Sequence, residues 1–305
     1  MSHPILKLQE VSKRFAGTEV VKQVSLTVEP GERIALLGHN GAGKTTLMKM
    51  ILGLLRPTSG GLEVFGGDPG SSLARFNTAF LPENVAFHRS LTGDEHLAMY
   101  ARLKGVQPAA VRHLMDKVDL ADARRRAVGT YSKGMRQRLG LAQALIGDPR
   151  LVMLDEPTSG LDPVSRQTFY DIVAELADKG AAVLLSSHAL TEVEARTDRI
   201  VIMRRGELIA DDSLAALRSR AGLPARLMVI AKPDTADEVA RRLGARRING
   251  CAVEILCEPD DKLARLAAIA KLEDLVIDVD VVLPSLDDVY RHFSAPKQNQ
   301  EAGHD

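Results

Sequence analysis

The sequence predicts an α/β fold with a parallel sheet, and three observations support that prediction. Short apolar runs, typical of buried strands, occur at 33–37, 151–154 and 181–186. Continuous apolar runs suit central parallel strands that are covered on both faces. The first run leads into a glycine-rich loop, and the loop leads into an apolar helical segment. From Leu91 to Ile146 the pattern is helical, which predicts a helical subdomain inserted into the sheet-based core.

Length and composition predict two domains and a tail. We expect a main domain at 1–222 with its helical subdomain at about 88–147, a small α+β domain at 223–295 and a disordered tail at 296–305. Forty basic residues balance forty acidic ones, so no net field attracts nucleic acid or an anionic membrane. No uninterrupted apolar run approaches the roughly 18 residues that a transmembrane helix needs. A soluble, cytoplasmic chain is therefore expected.

The glycine-rich loop fits the phosphate-binding pattern Gly-x4-Gly-Lys-[Ser/Thr]. A strand that passes through such a loop into a helix aims backbone N–H groups and the positive end of the helix dipole at one point. Lys44 can reach the β- and γ-phosphates of a nucleotide, and the Thr45 hydroxyl can bind Mg²⁺. The pattern predicts a nucleotide site, and the alternative is a glycine-rich turn that matches by chance. The residues concerned are Gly38, His39, Asn40, Gly41, Ala42, Gly43, Lys44, Thr45 and Thr46.

One aromatic residue precedes this loop. Strands are predicted at Ile5–Val11 and Val20–Val28, and Phe15 lies in the connection between them. A ring at this position can stack on a nucleotide base. It can equally well pack onto the core, and the sequence leaves the two alternatives open.

The helical segment opens and closes with capping signals. Thr92 and Glu95 form a capping-box pattern at its start. Near its end, Ser132 is placed to cap the helix that runs on to Ile146. Ser132 and Gly134 also lie at a helix N-terminus, where anions bind, and the two roles are compatible.

Carboxylates follow two of the predicted strands. The strand at 79–81 stops at Pro82, which leaves Glu83 at its exit, and the strand at 151–154 is followed by Asp155 and Glu156. Ligands of open α/β sheets bind at the carboxyl ends of the strands. Because neighbouring strand residues point in opposite directions, one carboxylate can hold Mg²⁺ through water while the next faces an attacking water. Two exposed acids at a strand end are the plainer alternative.

Two further residues stand at element boundaries. His188 follows the strand at 181–186, in line with Asp155, which favours a catalytic role although a single histidine is more often structural. Asp162 precedes Pro163, a pair typical of the N-cap and first position of a helix. A capping role for Asp162 is therefore expected beside any other role.

Taken together and in this order, the motifs resemble those of the nucleotide-binding subunit of an ABC transporter, over roughly residues 5–220. The resemblance implies an ATPase with a P-loop ABC-type core that uses ATP and Mg²⁺. It implies a homodimer that traps two ATP molecules between the phosphate loop of one subunit and the signature loop of the other. It also implies a multi-span membrane permease as partner, with this subunit bound at the inner face of the cell membrane. The permease contact is expected between the Glu83 loop and the helical subdomain.

The resemblance assigns roles around the phosphates. It implies that Lys44 and Thr45 contact phosphate and Mg²⁺ and that Asp155 holds Mg²⁺ through water. It implies that Glu156 is the general base that polarises water and that His188 contacts the γ-phosphate.

Other roles follow from the same resemblance. It implies that Phe15 stacks on adenine. Ser132 and Gly134 would act on the ATP of the partner subunit. Asp162 would belong to the loop through which the two sites communicate.

Two departures from the family pattern stand out. The signature loop usually reads Leu-Ser-Gly-Gly-Gln, and residues 131–135 here read Tyr-Ser-Lys-Gly-Met, so Lys133 adds a charge near the γ-phosphate. The usual glutamine after the strand at 79–81 is replaced by Glu83. Glu83 can still approach Mg²⁺ and water, but it brings a negative charge to a phosphate site.

Within the family, residues 131–145, the run Leu-Pro-Glu-Asn at 81–84 and His39 resemble the ATPase of the copper-maturation transporter for nitrous oxide reductase. That resemblance implies a permease and a periplasmic copper-handling protein as partners. The alternatives are the ATPase of an exporter of drugs, lipids or polysaccharides and, less in keeping with the sequence, a soluble ABC-type ATPase acting on DNA or ribosomes. The last class usually carries long coiled coils or two ATPase domains in one chain.

The sequence of the C-terminal part predicts a small α+β domain after a linker at 222–224. Its strands are predicted at 226–231, 252–257 and 276–282 and its helices at 237–243 and 260–270. The run at 284–290 resembles the closing helix of a small domain that many exporter ATPases carry, which implies dimer stabilisation or regulation. Cys251 and Cys257 are expected about 20 Å apart on one strand face, too far to share a copper ion, so we expect both to pack.

Overall fold

The computed structural model describes residues 3–187 and 189–295. His188 and the predicted tail at 296–305 lie outside the described residues. The chain divides into two compact units between Asp211 and Asp212. Within the described ranges, the helices lack the combination of length and apolar character that crossing a bilayer requires.

The elements of the first unit alternate between strands and helices. In chain order they are β1 (Leu6–Phe15), β2 (Thr18–Val28), β3 (Arg33–Leu37), α1 (Lys44–Ile51), β4 (Ser59–Val64), α2 (Ser72–Asn77), β5 (Thr78–Leu81), α3 (Gly93–Leu103), α4 (His113–Lys117), α5 (Lys133–Ala144), β6 (Leu151–Asp155), α6 (Pro163–Asp178), β7 (Ala182–Ser186), α7 (Leu190–Glu194), β8 (Arg199–Arg204) and β9 (Glu207–Asp212).

A six-stranded sheet forms the centre of this unit, in the order β5-β6-β7-β3-β8-β9. The strands from β5 to β8 pair in parallel along that order. All five residues of β7 are buried, as expected for a parallel strand covered on both faces. The predicted α/β class and parallel sheet are confirmed. Parallel pairing brings the carboxyl ends of β3, β5, β6 and β7 to one edge of the sheet.

A second, antiparallel sheet has the order β2-β1-β4. Its apolar side chains join one buried cluster with residues of β3 and α1, including Leu8, Val24, Leu36 and Met48. The phosphate loop therefore leaves the central sheet beside a second packed layer.

Helices and short 3₁₀ turns occupy residues 93–144, between β5 and β6. The predicted capping box is present at the start of α3, where the Glu95 N–H donates to Thr92 Oγ1 (3.2 Å) and the Thr92 N–H donates to Glu95 Oε2 (2.8 Å). Ser132 caps α5 by accepting the Met135 N–H at 3.1 Å. These caps satisfy backbone donors that have no partner within the helices.

The second unit contains α8 (Leu214–Ala221), β10 (Ala225–Ala231), α9 (Ala236–Leu243), β11 (Arg246–Arg247), β12 (Ala252–Cys257), α10 (Lys262–Ala270), β13 (Val276–Val282) and α11 (Leu286–Ser294). Its sheet has the order β11-β12-β10-β13. Residues of β10, β12 and α9, among them Leu227, Val253 and Val239, form its own buried core.

Two expectations about this part need correction. The division precedes α8 instead of following it, because α8 contacts α11 and Arg218 Nε donates to Pro284 O at 2.6 Å. Gly222 is therefore the left-handed C-cap of α8 and not the start of a linker. Cys257 packs in the core as expected, but Cys251 precedes β12 and is exposed.

Candidate nucleotide-binding site

The phosphate loop connects β3 to α1 and encloses a cavity of about 200 Å³. The cavity is lined by Val20 and by residues 39–46. At Gly43, where φ is 106°, a Cβ would lie 2.8 Å from Val20 O, and at Gly38 a Cβ would lie 2.6 Å from Met203 O. Close backbone approach thus requires glycine at both positions, which lets the loop pack tightly against the backbones of β2 and β8.

Lys44, the first residue of α1, is only 8% exposed. Its ammonium donates to Gly38 O and, at 3.3 Å, to His39 O, so the side chain folds back over the loop. Burial lowers the pKa of Lys44, and the nearby carboxylates of Glu156 and Asp155 oppose that shift. A largely buried cation inside a cradle of backbone groups fits a bound phosphate.

The other residues of the loop also suit a nucleotide with its metal ion. Thr45 is exposed and lines the cavity with its neighbour Thr46, so its hydroxyl is accessible to Mg²⁺. His39 and Asn40 are exposed at the tip, where His39 Nδ1 donates to Asn40 O at 2.7 Å. Hydroxyl and carboxylate oxygens are suitable ligands for Mg²⁺.

The predicted carboxylates follow neighbouring strands. In the register of the sheet, Leu36 of β3 pairs with Ser186 of β7, and Ser186 pairs with Asp155 of β6. Glu83 is exposed and lies two residues beyond the end of β5, the strand next to β6. The phosphate loop, Asp155 and Glu83 therefore lie along one edge of the sheet, the edge where ligands of open α/β sheets bind.

Glu156 does not continue the strand, so the alternation of strand residues does not describe its relation to Asp155. β6 ends at Asp155, and Glu156 has a φ of 48°, in the left-handed region that non-glycine residues seldom adopt. The Glu156 N–H donates to Ser186 O (3.1 Å) and to Ser186 Oγ (3.2 Å). The strand therefore ends in a left-handed turn at Glu156, which hydrogen bonds to β7 stabilise.

Ser186 is a site residue that the motifs did not identify. It is fully buried, and its hydroxyl donates to Asp155 Oδ1 while accepting from the backbone of Glu156. The signal in the sequence was a hydroxyl at the end of an otherwise apolar strand. Its meaning depended on knowing that β7 lies beside β6.

Phe15 is the last residue of β1 and is 44% exposed. It pairs with Thr18, two residues before the Val20 that lines the phosphate-loop cavity. Lys13 Nζ lies 5.1 Å from the centre of its ring, a cation–π distance. An exposed ring face near the cavity is what base stacking requires, and this exposure disfavours the alternative of core packing.

The signature loop lies against the loop that ends at Asp162. Asp162 caps α6 by accepting the Ser165 N–H at 3.0 Å, and the hydrogen bonds from Ser165 lower the pKa of its carboxyl. A Cβ on Gly134 would lie 3.3 Å from Gly160 O. Ser132, Gly134 and Asp162 are absent from the lining of the phosphate-loop cavity in the described chain.

Comparisons with known proteins identify the family. The profile of a family described as "ABC transporter" matches residues 21–159. The chain is 41% identical over 218 residues to the uncharacterized ABC transporter ATP-binding protein YdbJ of Bacillus subtilis, covering 70% of this chain and 71% of that protein. It is 35% identical over 294 residues to the daunorubicin/doxorubicin resistance ATP-binding protein DrrA of Streptomyces peucetius, covering 91% of this chain and 88% of that protein.

Solved structures agree with the sequence matches. The structure of an ATP binding subunit of an ABC transporter superposes with a TM-score of 0.68 at 31% identity, covering 72% of this chain and 93% of that one. The ADP conformation of MJ1267, an ATP-binding cassette of an ABC transporter, superposes with a TM-score of 0.61 at 22% identity, covering 70% and 92%. The second likeness concerns the fold alone. With these matches and the phosphate loop described above, the chain belongs to the ATP-binding subunits of ABC transporters and is an ATPase.

Proposed function

We propose that two copies of this chain bind two ATP molecules with Mg²⁺ and hydrolyse them to drive an exporting membrane permease. The observation that best supports this proposal is the common sheet edge. It carries the phosphate loop after β3, Ser186 at the end of β7, and the carboxylates that follow β6. An edge with a buried cation at one strand and carboxylates two strands away suits phosphoryl transfer to water.

Lys44 is the proposed phosphate-binding cation. In the structure its ammonium donates to carbonyls of the loop itself, Gly38 and His39. A phosphate oxygen is a stronger acceptor than a carbonyl, because the hydrogen bond is then charge-assisted on both sides. The Lys44 ammonium would therefore donate to the phosphates of ATP instead of to the loop carbonyls. Thr45 and Asp155 would hold Mg²⁺, which neutralises charge on the phosphates. Phe15 would stack on adenine.

Glu156 is the proposed general base. It follows the last residue of β6 and has a left-handed backbone, and its carboxylate would accept a proton from the attacking water. His188, which lies outside the described residues, and Glu83 are proposed to contact the γ-phosphate and the metal-bound water, respectively. The carboxylate of Glu83 would repel the negatively charged phosphates, whereas a neutral glutamine at this position would not.

The signature loop is proposed to complete the site of the partner subunit. Ser132 and Gly134 lie at the N-terminus of α5, a helix of 12 residues whose dipole favours anions. They do not line the phosphate-loop cavity of their own chain. A head-to-tail homodimer would place them on the partner's nucleotide, with Asp162 in the loop between the two sites.

The permease is proposed to bind between the Glu83 loop and the helical subdomain. A cavity of about 250 Å³ lies there, lined by Val85, Ala86, Phe87, Arg89, Val128, Gly129 and Arg136. Its lining combines apolar residues with the two arginines, which suits an amphipathic segment of a membrane partner. This arrangement would place the chain on the cytoplasmic face of the membrane.

DrrA favours a drug, lipid or polysaccharide exporter over copper-site maturation. Its alignment covers 91% of this chain, so it extends beyond the first unit, which ends at Asp211. In the described residues, no group of three or more His, Cys, Asp or Glu side chains could hold a metal ion. We propose that the second unit, predicted as the domain at 223–295, stabilises or regulates the dimer in such an exporter.

Copurification from the native membrane tests the proposed partner. The chain would be isolated by an affinity tag with and without ATP, and the proteins that accompany it would be identified by mass spectrometry. We expect a multi-span permease without a periplasmic partner. A periplasmic copper-handling protein in addition would support copper maturation instead, and ribosomes or DNA would contradict the transport proposal.

A further inference from the structure

We propose that Lys133 is a positioning residue that ties the loop at Ser159 and Gly160 to the signature loop of its own chain. This inference rests on the proposed function, in which the signature loop contacts the partner's nucleotide and the loop that ends at Asp162 lies between the two sites. Two loops held by one side chain would enter and leave that interface together. The departure from the usual signature sequence would then serve communication between the two ATP sites.

The contact combines a hydrogen bond with close packing. Lys133 Nζ donates to Ser159 Oγ at 3.0 Å. A Cβ on Gly160 would lie 2.9 Å from Cδ of Lys133, 3.3 Å from Cε and 3.4 Å from Cγ, so the stem of the lysine crosses the face of this glycine. Gly160 also has a φ of 83°, so its conformation and the lysine above it both favour glycine.

The other side of the same loop is already fixed. Arg166 of α6 donates through Nη2 to Leu161 O at 3.2 Å and through Nη1 to Glu192 of α7 at 2.5 Å. Asp162 caps α6. The loop therefore has firm attachments to α6 and α7, and Lys133 supplies the side-chain attachment to the signature loop.

This role differs from the one expected from the family pattern. A lysine in the signature loop was expected to add a charge near the γ-phosphate. In the structure its ammonium is directed at Ser159 of the same chain. A positioning residue acts through Ser159, whereas a direct phosphate contact would act without it, and this difference can be measured.

Two readouts on the full-length chain test the proposal. The first is amide hydrogen exchange at residues 159–161, where the Ser159 and Leu161 N–H groups donate to Glu156 O and Thr158 O. Lys133→Met keeps most of the stem and removes the ammonium, and Ser159→Ala removes the acceptor. We expect each variant to speed exchange there about three- to tenfold, the effect of one lost hydrogen bond. Unchanged exchange in both variants would overturn the proposal.

The second readout is a double-mutant cycle on ATP hydrolysis. We expect each variant to lower kcat by about three- to tenfold with KM for ATP changed less than about twofold, and the double variant to be no slower than the slower single one. Lys133→Arg, which keeps a donor, should recover most of the rate. Additive losses, or a rise in KM that Ser159→Ala does not share, would show that Lys133 acts on the nucleotide directly.

A matched control and a separate baseline complete the design. Lys179→Met removes an exposed lysine beyond the far end of α6, about 24 Å along the helix from Asp162, and should change neither readout. The proposed function would fail if the wild-type chain did not hydrolyse ATP, or if Glu156→Gln did not abolish that hydrolysis. Hydrogen exchange would still decide whether Lys133 holds the loop.

Discussion

The backbone N–H of Glu156 donates to the carbonyl oxygen of Ser186 at 3.1 Å, which joins the ends of two neighbouring parallel strands. The bond accompanies a left-handed backbone at Glu156, with φ at 48°. Conformations of this kind cost about 1–3 kcal/mol and persist where surrounding contacts enforce them. A residue on the adjacent strand therefore holds the backbone of the proposed general base.

Replacing the carboxylate tests the role of Glu156. We expect Glu156→Gln to lower the rate of ATP hydrolysis by at least about 100-fold, because an amide cannot accept the proton of the attacking water. ATP binding should remain, and the dimer should persist because ATP is not consumed. Steady-state hydrolysis, equilibrium ATP binding and size-exclusion chromatography with ATP measure the three effects. Turnover at the wild-type rate would remove Glu156 from the mechanism.

Removing the Ser186 hydroxyl tests the support beneath that base. Ser186→Ala leaves an oxygen of the half-buried Asp155 and the Glu156 N–H each with one bond fewer, so we expect a loss of about 1–3 kcal/mol in the free energy of unfolding. We also expect kcat to fall, since the Asp155 carboxylate and the Glu156 backbone each lose a positioning contact. Urea unfolding and ATPase kinetics measure these effects. Ser72→Ala, at an exposed serine of α2, is the control, and equal results for the two variants would contradict the argument.

Sequence patterns predicted the parts of the site whose signals are local. The phosphate loop, the capping roles of Ser132 and Asp162, and the carboxylates after β6 each depend on residues that are close in sequence. Ser186 could not be assigned in this way, because its role depends on which strand lies next to β6. The contact between Lys133 and Ser159 is hidden for the same reason.

The division of the chain shows a similar limit. Composition and glycine placement favoured a boundary near 222. The observed division at Asp211 depends on the packing of α8 against α11, about 70 residues later. Hydrophobic periodicity shows which face of each element is buried, but it does not show which distant element packs against that face.

A methyl group at Gly43 tests the phosphate cradle. The added Cβ would lie 2.8 Å from Val20 O in a backbone with a φ of 106°. We expect Gly43→Ala to weaken ATP binding by at least about tenfold and to lower stability by about 1–2 kcal/mol or more, from left-handed strain plus the clash. Fluorescent-nucleotide titration and thermal unfolding measure these effects.

Gly41→Ala is the matched control for that change. Gly41 also has a positive φ, at 82°, but a Cβ there would meet nothing within 4 Å. It should therefore show the conformational cost without the clash, and a smaller loss of ATP binding. If the two alanine variants bound ATP equally well, close backbone approach at Gly43 would not be what shapes the cradle.

A buried histidine in the helical subdomain predicts how stability depends on pH. His96 is 1% exposed, and its Nε2 donates to Gln143 Oε1 at 3.0 Å. Burial lowers the pKa of His96, with the bond to Gln143 opposing the shift. The folded protein then binds fewer protons at this ring than the unfolded chain does. The contribution of His96 to stability is therefore full above the unfolded-state pKa of about 6.5 and is lost as the pH falls through and below that value.

We expect the free energy of unfolding, measured in urea between pH 8 and 5, to decline below pH 6.5 with a slope from His96 of up to about 1.4 kcal/mol per pH unit. His96→Phe combined with Gln143→Leu removes the titrating ring without leaving the Gln143 amide oxygen unpaired, and it should flatten the decline over this range. Phe87 and Tyr100, whose rings lie 4.6 and 4.8 Å from the imidazole, can pack against the new phenyl group. His113→Gln, at an exposed histidine of α4, should keep the wild-type slope. A double variant with the full wild-type decline would mean that groups other than His96 carry the acid sensitivity.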